Sequence, residues 1–508
     1  MKGKSKRILS ALLMVLLIAA TIIIPNYNNN VNASASKTSI SKVIKETGAT
    51  VPKYIFLFIG DGMSYPQIQA TSYYLGTTAS KGGVKTQALS FMNFPVAGSA
   101  QTFDSTSFCP DSASTATSIS TGHKTYSGTI NMDTSFKVSY ETIAEKLKKQ
   151  MDYKIGIISS VNLNHATPAA FYAHQASRNN YYEIGQEMIA SGFDYFAGGE
   201  LLKPAGSDNS KESIYDLAKK AGYRVVRTKA AAEGLRKGYG KSIIISEKIA
   251  DGGAMPYELD ATSNEWHLAD YVEKGIEMLD NEKGFFMMVE GGKIDWACHA
   301  NDATSTIHDT VALGNAVDVA IDFYNKHPED TLILVTGDHE TGGLTIGFAG
   351  TDYDTYLTNL ENQKISYAKY DSDFVAGYKK NNTKFTAVLE DIQKYFGLVP
   401  KSKATAAANA KLILTDYEYN RLSEAYDMTM NKPEKLDQEE YVLYGTYEPL
   451  TVTITHILNN KSGIDFTSYS HTGLPVPVFA IGNGAELFEG YYDNTDIYDS
   501  VAKLTKVK

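Results

Sequence analysis

Five short apolar runs, nearly free of polar interruption, constrain this chain most: Tyr54–Ile59, Lys154–Ile158, Phe285–Val289, Thr331–Val335 and Pro477–Ile481. A strand that is apolar on both faces must be covered on both, as in a parallel sheet enclosed by helices. Between the runs, Thr142–Gln150 and Thr304–Tyr324 carry apolar residues at helical spacing, the second through Val311, Ala312, Ala316, Val319, Ala320 and Phe323. The predicted fold is α/β, a three-layer α/β/α sandwich with a mostly parallel central sheet. From about Thr351 to Asp465 the alternation breaks. That stretch is rich in Tyr, Asn, Asp and Lys, has helical patches at Phe385–Phe396 and Thr415–Met428, and reads as an inserted cap region. Residues 201–265 offer no chemical motif, and 508 residues suit one large domain with insertions, or two domains.

Ligand-capable residues follow four of the runs: Asp61, then Asn164 to Thr167, then Glu290, then Asp338-His339. In open α/β sheets, sites gather at the carboxyl ends of strands, so these residues are expected to converge on one edge. Asp295 and His299 stand four apart, a spacing that lets one helical turn face one metal ion. Each pair is weak alone, since surface ion pairs share the pattern. Taken with late His471, however, Asp61, Glu290, Asp295, His299, Asp338 and His339 supply the mixed oxygen and nitrogen donors of a two-metal hydrolase.

Two further segments carry side chains without an evident partner. In Pro110-Asp111-Ser112-Ala113-Ser114, a helix start is expected, and Ser112 by itself reads as a helix cap; as a nucleophile it would need activation by a neighbouring metal ion. In the segment His165 to Arg178, Pro168 marks a helix start. Arg178, about three turns on, is either a surface arginine or a planar fork for phosphate.

At the N-terminus, Lys2, Lys4, Lys6 and Arg7 precede an uncharged apolar run from Ile8 to Ile24, and Ala33-Ser34-Ala35 offers a cleavage site. Residues 1–35 are read as a signal peptide and 36–508 as the mature chain, with a retained membrane anchor as the alternative. Removing 1–35 takes away four basic and no acidic groups, moving the formal charge from −10 to −14. So acidic a surface argues against nucleic acid as a partner. Cys109 and Cys298 are the only cysteines and make no disulfide framework; a pair between them and two small buried thiols are both open, the second favoured.

Seven blocks now stand in order: DGM at Asp61–Met63, PDSASTATS at Pro110–Ser118, TGHKTYSGTIN at Thr121–Asn131, HATPAAFYAHQASR at His165–Arg178, EGGKIDWACH at Glu290–His299, TGDHETGG at Thr336–Gly343 and SHTG at Ser470–Gly473. Together they resemble the alkaline phosphatase family, over about Tyr54 to Gly482 apart from most of the insertion. The resemblance implies an exported phosphomonoesterase that acts on phosphomonoester small molecules through a covalent phosphoserine at Ser112. It also implies a homodimer, with Arg178 binding two nonbridging phosphate oxygens. By the same resemblance Asp295, His299 and His471 hold one zinc ion and Asp61, Asp338 and His339 a second. Asp61, Thr167 and Glu290 hold a third ion, usually magnesium.

The chain has His165 where one widespread form of the family has Asp, and Trp296 where that form has Lys. An imidazole beside the third site favours zinc or cobalt over magnesium. Cys298 stands where relatives commonly have Gly and is expected to be a packed spectator. His123, His174, His267, His308, His327 and His456 are expected to be structural, with His123 and His174 the candidates for supporting the metal ligands. Two rivals remain, a related phosphodiesterase or sulfatase and a catalytically silent surface protein. The set of ligands with Ser112, Arg178, Thr167 and Glu290 speaks against both.

Overall fold

The strand Tyr54–Gly60 (β1) is buried along its whole length, because its neighbours flank it on both edges and helices cover both faces. A computed structural model describes residues 43–45, 47–406, 409–431 and 437–508. The predicted signal segment and the start at Ser36 lie outside the described residues. The strands that follow β1 in the chain are Val96–Gln101 (β2), Lys154–Asn162 (β3), Tyr195–Gly199 (β4), Arg224–Val226 (β5), Ser242–Ile245 (β6), Phe285–Glu290 (β7) and Thr331–Gly337 (β8). Two-residue strands follow at Glu340–Thr341 (β9), Thr345–Ile346 (β10), Ile464–Asp465 (β11) and His471–Thr472 (β12), then Val476–Gly482 (β13) and Gly490–Asp493 (β14). Ten of these form one sheet in the order β14-β2-β13-β8-β1-β7-β3-β4-β6-β5.

The register places the site. Ile59 pairs with Glu290 on one side and with Thr336 on the other, and Ser159 pairs with Glu290. Asp61 and Asp338 therefore emerge level with each other, two residues past a shared rung, with Glu290 between β1 and β3.

One expectation needs correcting. The run Pro477–Ile481 read as one more strand of a parallel sheet, but β13 is antiparallel to both β8 and β2. The reason is topological: the chain comes back from the insertion at the carboxyl edge and must enter the sheet from there. That reversal delivers His471 to the edge, since a residue preceding a strand reaches it only when the strand runs backward. The small β12–β9 ladder pairs His471 with Thr341.

The helices that matter for the site are Tyr65–Ala79 (α1), Ser112–Thr121 (α2), Ala166–Ala169 (α3), Leu268–Leu279 (α4), Lys293–His299 (α5) and Ala303–Tyr324 (α6). Phe56, Phe58, Phe285, Met287 and Val335 on one face of the sheet join α4 and α6 in the main core, while α2 and α3 pack together on the opposite face. Helix α2 is buried at every position, which its small Ser, Ala and Thr side chains allow, with Ile119 the one larger apolar residue. Pro168 does not open a long helix. α3 is four residues long, because the Asn131 side-chain amide takes the carbonyls of Ala170 and Ala173, and Gln175 bridges to Ile130.

Between 351 and 465 the chain is mostly helical, with helices at Phe385–Phe396, Asp416–Met430 (α7) and Pro449–Ser462 (α8), the last two packed together. No described helix is long and apolar enough to cross a membrane.

Candidate active site

Gly62 lets the first strand end approach its neighbours. Its φ is +74°, and a Cβ there would lie 2.9 Å from both Asp295 Cα and Thr341 Oγ1. Around this turn, two groups of donors each bring their ligand atoms within 4.8 Å of one another, Asp295 with His299 and His471, and Asp61 with Asp338 and His339.

Hydrogen bonds fix the tautomer of all three imidazoles. His299 Nδ1 donates to the Tyr469 carbonyl at 2.6 Å, and His471 Nδ1 donates to the Pro110 carbonyl. Thr341 Oγ1 donates to Asp295 Oδ1 at 2.6 Å, so its lone pair is left to accept His339 Nδ1–H at 3.2 Å. Each ring thus turns an unprotonated Nε2 inward. His299 Nε2 lies 3.3 Å from Asp295 Oδ1 and 3.1 Å from His471 Nε2. His339 Nε2 lies 3.3 Å from Asp61 Oδ1 and 3.4 Å from Asp338 Oδ2. Lone pairs facing lone pairs at these distances repel unless a cation sits among them, and anchored Nδ1–H groups are the usual support of metal-binding histidines. The donor set fits two zinc ions.

Charge points the same way. Burial, with the charges of neighbouring carboxylates, pushes the Asp61 carboxyl well up and Asp338 up to about 8. Burial takes Glu290 up to about 7, against an opposing hydrogen bond from Ser159. Asp295 is the exception: burial would raise it, but His299, with His471 and His339, outweighs burial and holds it low when those rings carry protons, the positive charge that a bound ion would supply in their place. Carboxylates collected in so dry a place call for positive charge. A third grouping lies beside them. Thr167 Oγ1 donates to Asp61 Oδ2 at 3.3 Å, Ser159 donates to Glu290 Oε2, and Glu290 Oε1 is buried without a hydrogen-bond partner. An orphaned carboxylate oxygen next to a carboxylate and a hydroxyl fits a hard cation.

Ser112 stands between these groups, with Oγ 3.1 Å from His339 Nε2 and 3.5 Å from Asp61 Oδ1. It is not the cap of α2. Asp111 is, accepting from Ser114 N at 3.0 Å, and Ser112 is the first helical residue. The same Asp111 accepts from Arg178 Nη1 at 2.9 Å, so the cap also sets the guanidinium beside the serine. Arg178 arrives there by a loop held through its backbone N–H to Gly128 O, not by a helix. Burial would raise the Asp111 carboxyl, but Arg178 and backbone N–H donors outweigh it and hold it low. The sequence reading missed Asp111 in this role, although Asp before a run of small helix formers is a cap signal.

His165 is brought to Arg178, with Nε2 3.3 Å from Nη2, and its ring stands edge-on to Trp296. It joins neither donor group. His174 bonds the Tyr140 carbonyl and Glu145, and His123 stacks on Tyr140. Both cysteines are free. Cys298 is buried beside Gln67 and Thr306, whereas Cys109 is exposed, against the expectation of two buried thiols, because it lies on the surface loop leading into α2.

Fold and site together define a class, the α/β sandwich enzymes that work on an anionic ester at the carboxyl ends of parallel strands. The family model "Alkaline phosphatase" matches residues 52–507. Alkaline phosphatase 3 of Bacillus subtilis (strain 168) is 31% identical over 461 residues, covering 89% of this chain and 88% of that protein. Alkaline phosphatase 4 of the same organism is 29% identical over 480 residues, covering 93% of each. The crystal structure of a cold-active alkaline phosphatase from the psychrophile Shewanella sp. superposes with a TM-score of 0.72 at 26% identity, covering 89% of this chain and 99% of that one. The chain belongs to the alkaline phosphatase family and is a phosphomonoester hydrolase. That family is metal dependent.

Proposed function

We propose that this protein is an exported, metal-dependent alkaline phosphatase that passes the phosphoryl group through Ser112 to water. The observation that carries the reading is the inward turn of three imidazole lone pairs onto buried carboxylates on either side of one serine hydroxyl. Asp295, His299 and His471 would hold one zinc ion, and Asp61, Asp338 and His339 the second. Asp61, Thr167 and Glu290 would hold a third ion, magnesium, or zinc or cobalt should His165 turn toward it. When bound, these ions supply the positive charge that acidifies a hydroxyl and offsets charge on the entering and departing oxygens.

The chain's own groups do the rest. Ser112, at the start of α2, points its oxygen where helix N–H dipoles favour an anion. Arg178, tethered by Asp111, binds two nonbridging oxygens of the phosphate. Ser112 Oγ forms its bond to phosphorus as the bond to the alcohol oxygen breaks, and the alcohol leaves with a proton. A water oxygen then replaces Ser112 Oγ on phosphorus, and inorganic phosphate leaves with the serine hydroxyl restored. The basic N-terminal residues and the following apolar run support export and cleavage after Ala35, giving a catalytic domain over 36–508 with a cap at about 351–465. Homodimerisation rests on the family resemblance.

The test is turnover of a chromogenic monoester and diester by wild type, Ser112→Ala and chelator-treated protein. Monoester turnover should dominate, falling at least about a thousandfold in Ser112→Ala and disappearing on chelation. Diester preference would overturn the substrate assignment, and undiminished turnover by Ser112→Ala the mechanism.

A further inference from the structure

An arc of aromatic side chains runs from the Arg178 side of the site to the His299 side. It begins at Trp296, one residue past Asp295, whose indole meets the His165 ring edge-on at 5.9 Å. Beneath it the buried Lys293 ammonium lies 4.6 Å from the Trp296 ring and 3.7 Å from the Tyr257 ring. The Tyr257 hydroxyl donates to that of Tyr367 at 3.0 Å. Tyr367 meets Tyr447 edge-on at 5.8 Å, and Tyr447 meets Tyr469 at 6.2 Å. The arc closes on the site where the Tyr469 carbonyl accepts from His299 Nδ1.

A wall that served only to seat the cap would be dry. Here Tyr257 and Lys293 are buried and form the backing, whereas Trp296, Tyr367, Tyr447 and Tyr469 are half-buried. Among the described residues neither the Tyr447 hydroxyl nor the Trp296 indole N–H makes a side-chain hydrogen bond, and neither is one of the fully buried unpaired polar atoms, which leaves two accessible donors on an aromatic surface. Rigid rings with a few free polar groups are the make-up of a small-molecule subsite. The Lys293 ammonium, set against both the Trp296 and Tyr257 rings, holds them in place.

We propose that this arc is the leaving-group subsite, and that the cap, through Tyr367 and Tyr447, makes the enzyme favour monoesters whose alcohol carries a flat aromatic ring over those of small alkyl alcohols. The proposal rests on the phosphomonoesterase reading and deepens it. The ring can be an aryl group or a nucleobase, because stacking asks only for a π face.

The experiment compares kcat/KM for 2-phenylethyl phosphate, a nucleoside 5′-monophosphate and ethyl phosphate in wild type, Tyr447→Ala, Tyr447→Phe and Tyr353→Ala, the last altering a fully exposed cap residue outside the arc. Phenylethyl and ethyl phosphate have leaving groups of similar acidity, so their ratio reads contact and not chemistry. Wild type should favour the phenylethyl ester by about five- to tenfold. Tyr447→Ala should lose most of that ratio, while Tyr447→Phe and Tyr353→Ala keep it. The nucleotide arm, read against ethyl phosphate in the same way, tells a nucleobase from an aryl ring. A second measurement needs no variant: benzylphosphonate should inhibit wild type at least about fivefold more tightly than methylphosphonate. An equal ratio in wild type and Tyr447→Ala, or equal inhibition by the two phosphonates, overturns the subsite and leaves the phosphomonoesterase reading standing. Absence of turnover on every monoester sinks that reading, and the subsite with it.

Discussion

Thr341→Val removes one hydroxyl and almost no volume, yet that hydroxyl ties the two donor groups together. Thr341 is fully buried, donates to Asp295 Oδ1 at 2.6 Å and accepts from His339 Nδ1 at 3.2 Å. The first bond is short and ends on an ionised carboxylate, so its loss costs about 1.5–3 kcal/mol. The second fixes the His339 tautomer; without it Nδ1–H is left unpaired in a dry place and Nε2 is no longer the obligatory free nitrogen. Converted at about 1.4 kcal/mol per decade, the loss predicts a fall in metal affinity of roughly 10–100-fold. Since one residue belongs to each group, both ions should be affected, whereas Thr341→Ser should retain most of the affinity. The assay is a chelator titration followed by metal analysis of the protein, with the thermal midpoint measured alongside. Metal content in Thr341→Val that resists chelator as in wild type would refute the reasoning.

Two further predictions use other parts of the molecule. Burial raises the Asp371 carboxyl to about 7, against an opposing hydrogen bond from Thr451 and with Glu448 adding to the rise. A raised folded pKa means stability that is full below the unfolded value of about 4 and is lost as pH climbs through about 7. Asp371→Asn should therefore raise the melting temperature at pH 8.5 and leave the acid side little changed; an equal shift at both pH values would count against it. At the third grouping, wild type should take up zinc or cobalt after metal exchange more readily than His165→Asp, which should favour magnesium, and identical occupancy in metal analysis would remove the imidazole from the account.

The sequence by itself determined the architecture and the roster of chemical groups. Runs apolar on both faces could only be covered strands, and Asp61, Glu290 and Asp338 are bound to share an edge once their strands are parallel, because each stands at or just past the end of its run. What a linear pattern could not carry is direction and pairing across the fold. β13 has the same apolar character as its parallel neighbours, so nothing local told that it runs backward, and it is this reversal that brings His471 to the site. Arg178 looked like the end of a long helix, but the Asn131 amide, 39 and 42 residues from the carbonyls it takes, stops the helix early. Only the tertiary structure made Asp111 both cap and tether and made Thr341 a bridge between donor groups. Only it lined up Trp296, Tyr367, Tyr447 and Tyr469, residues up to 173 apart in the chain. Hydrophobic pattern is read from neighbours along the chain, whereas a tautomer or a tether is fixed by whichever group packing brings against it.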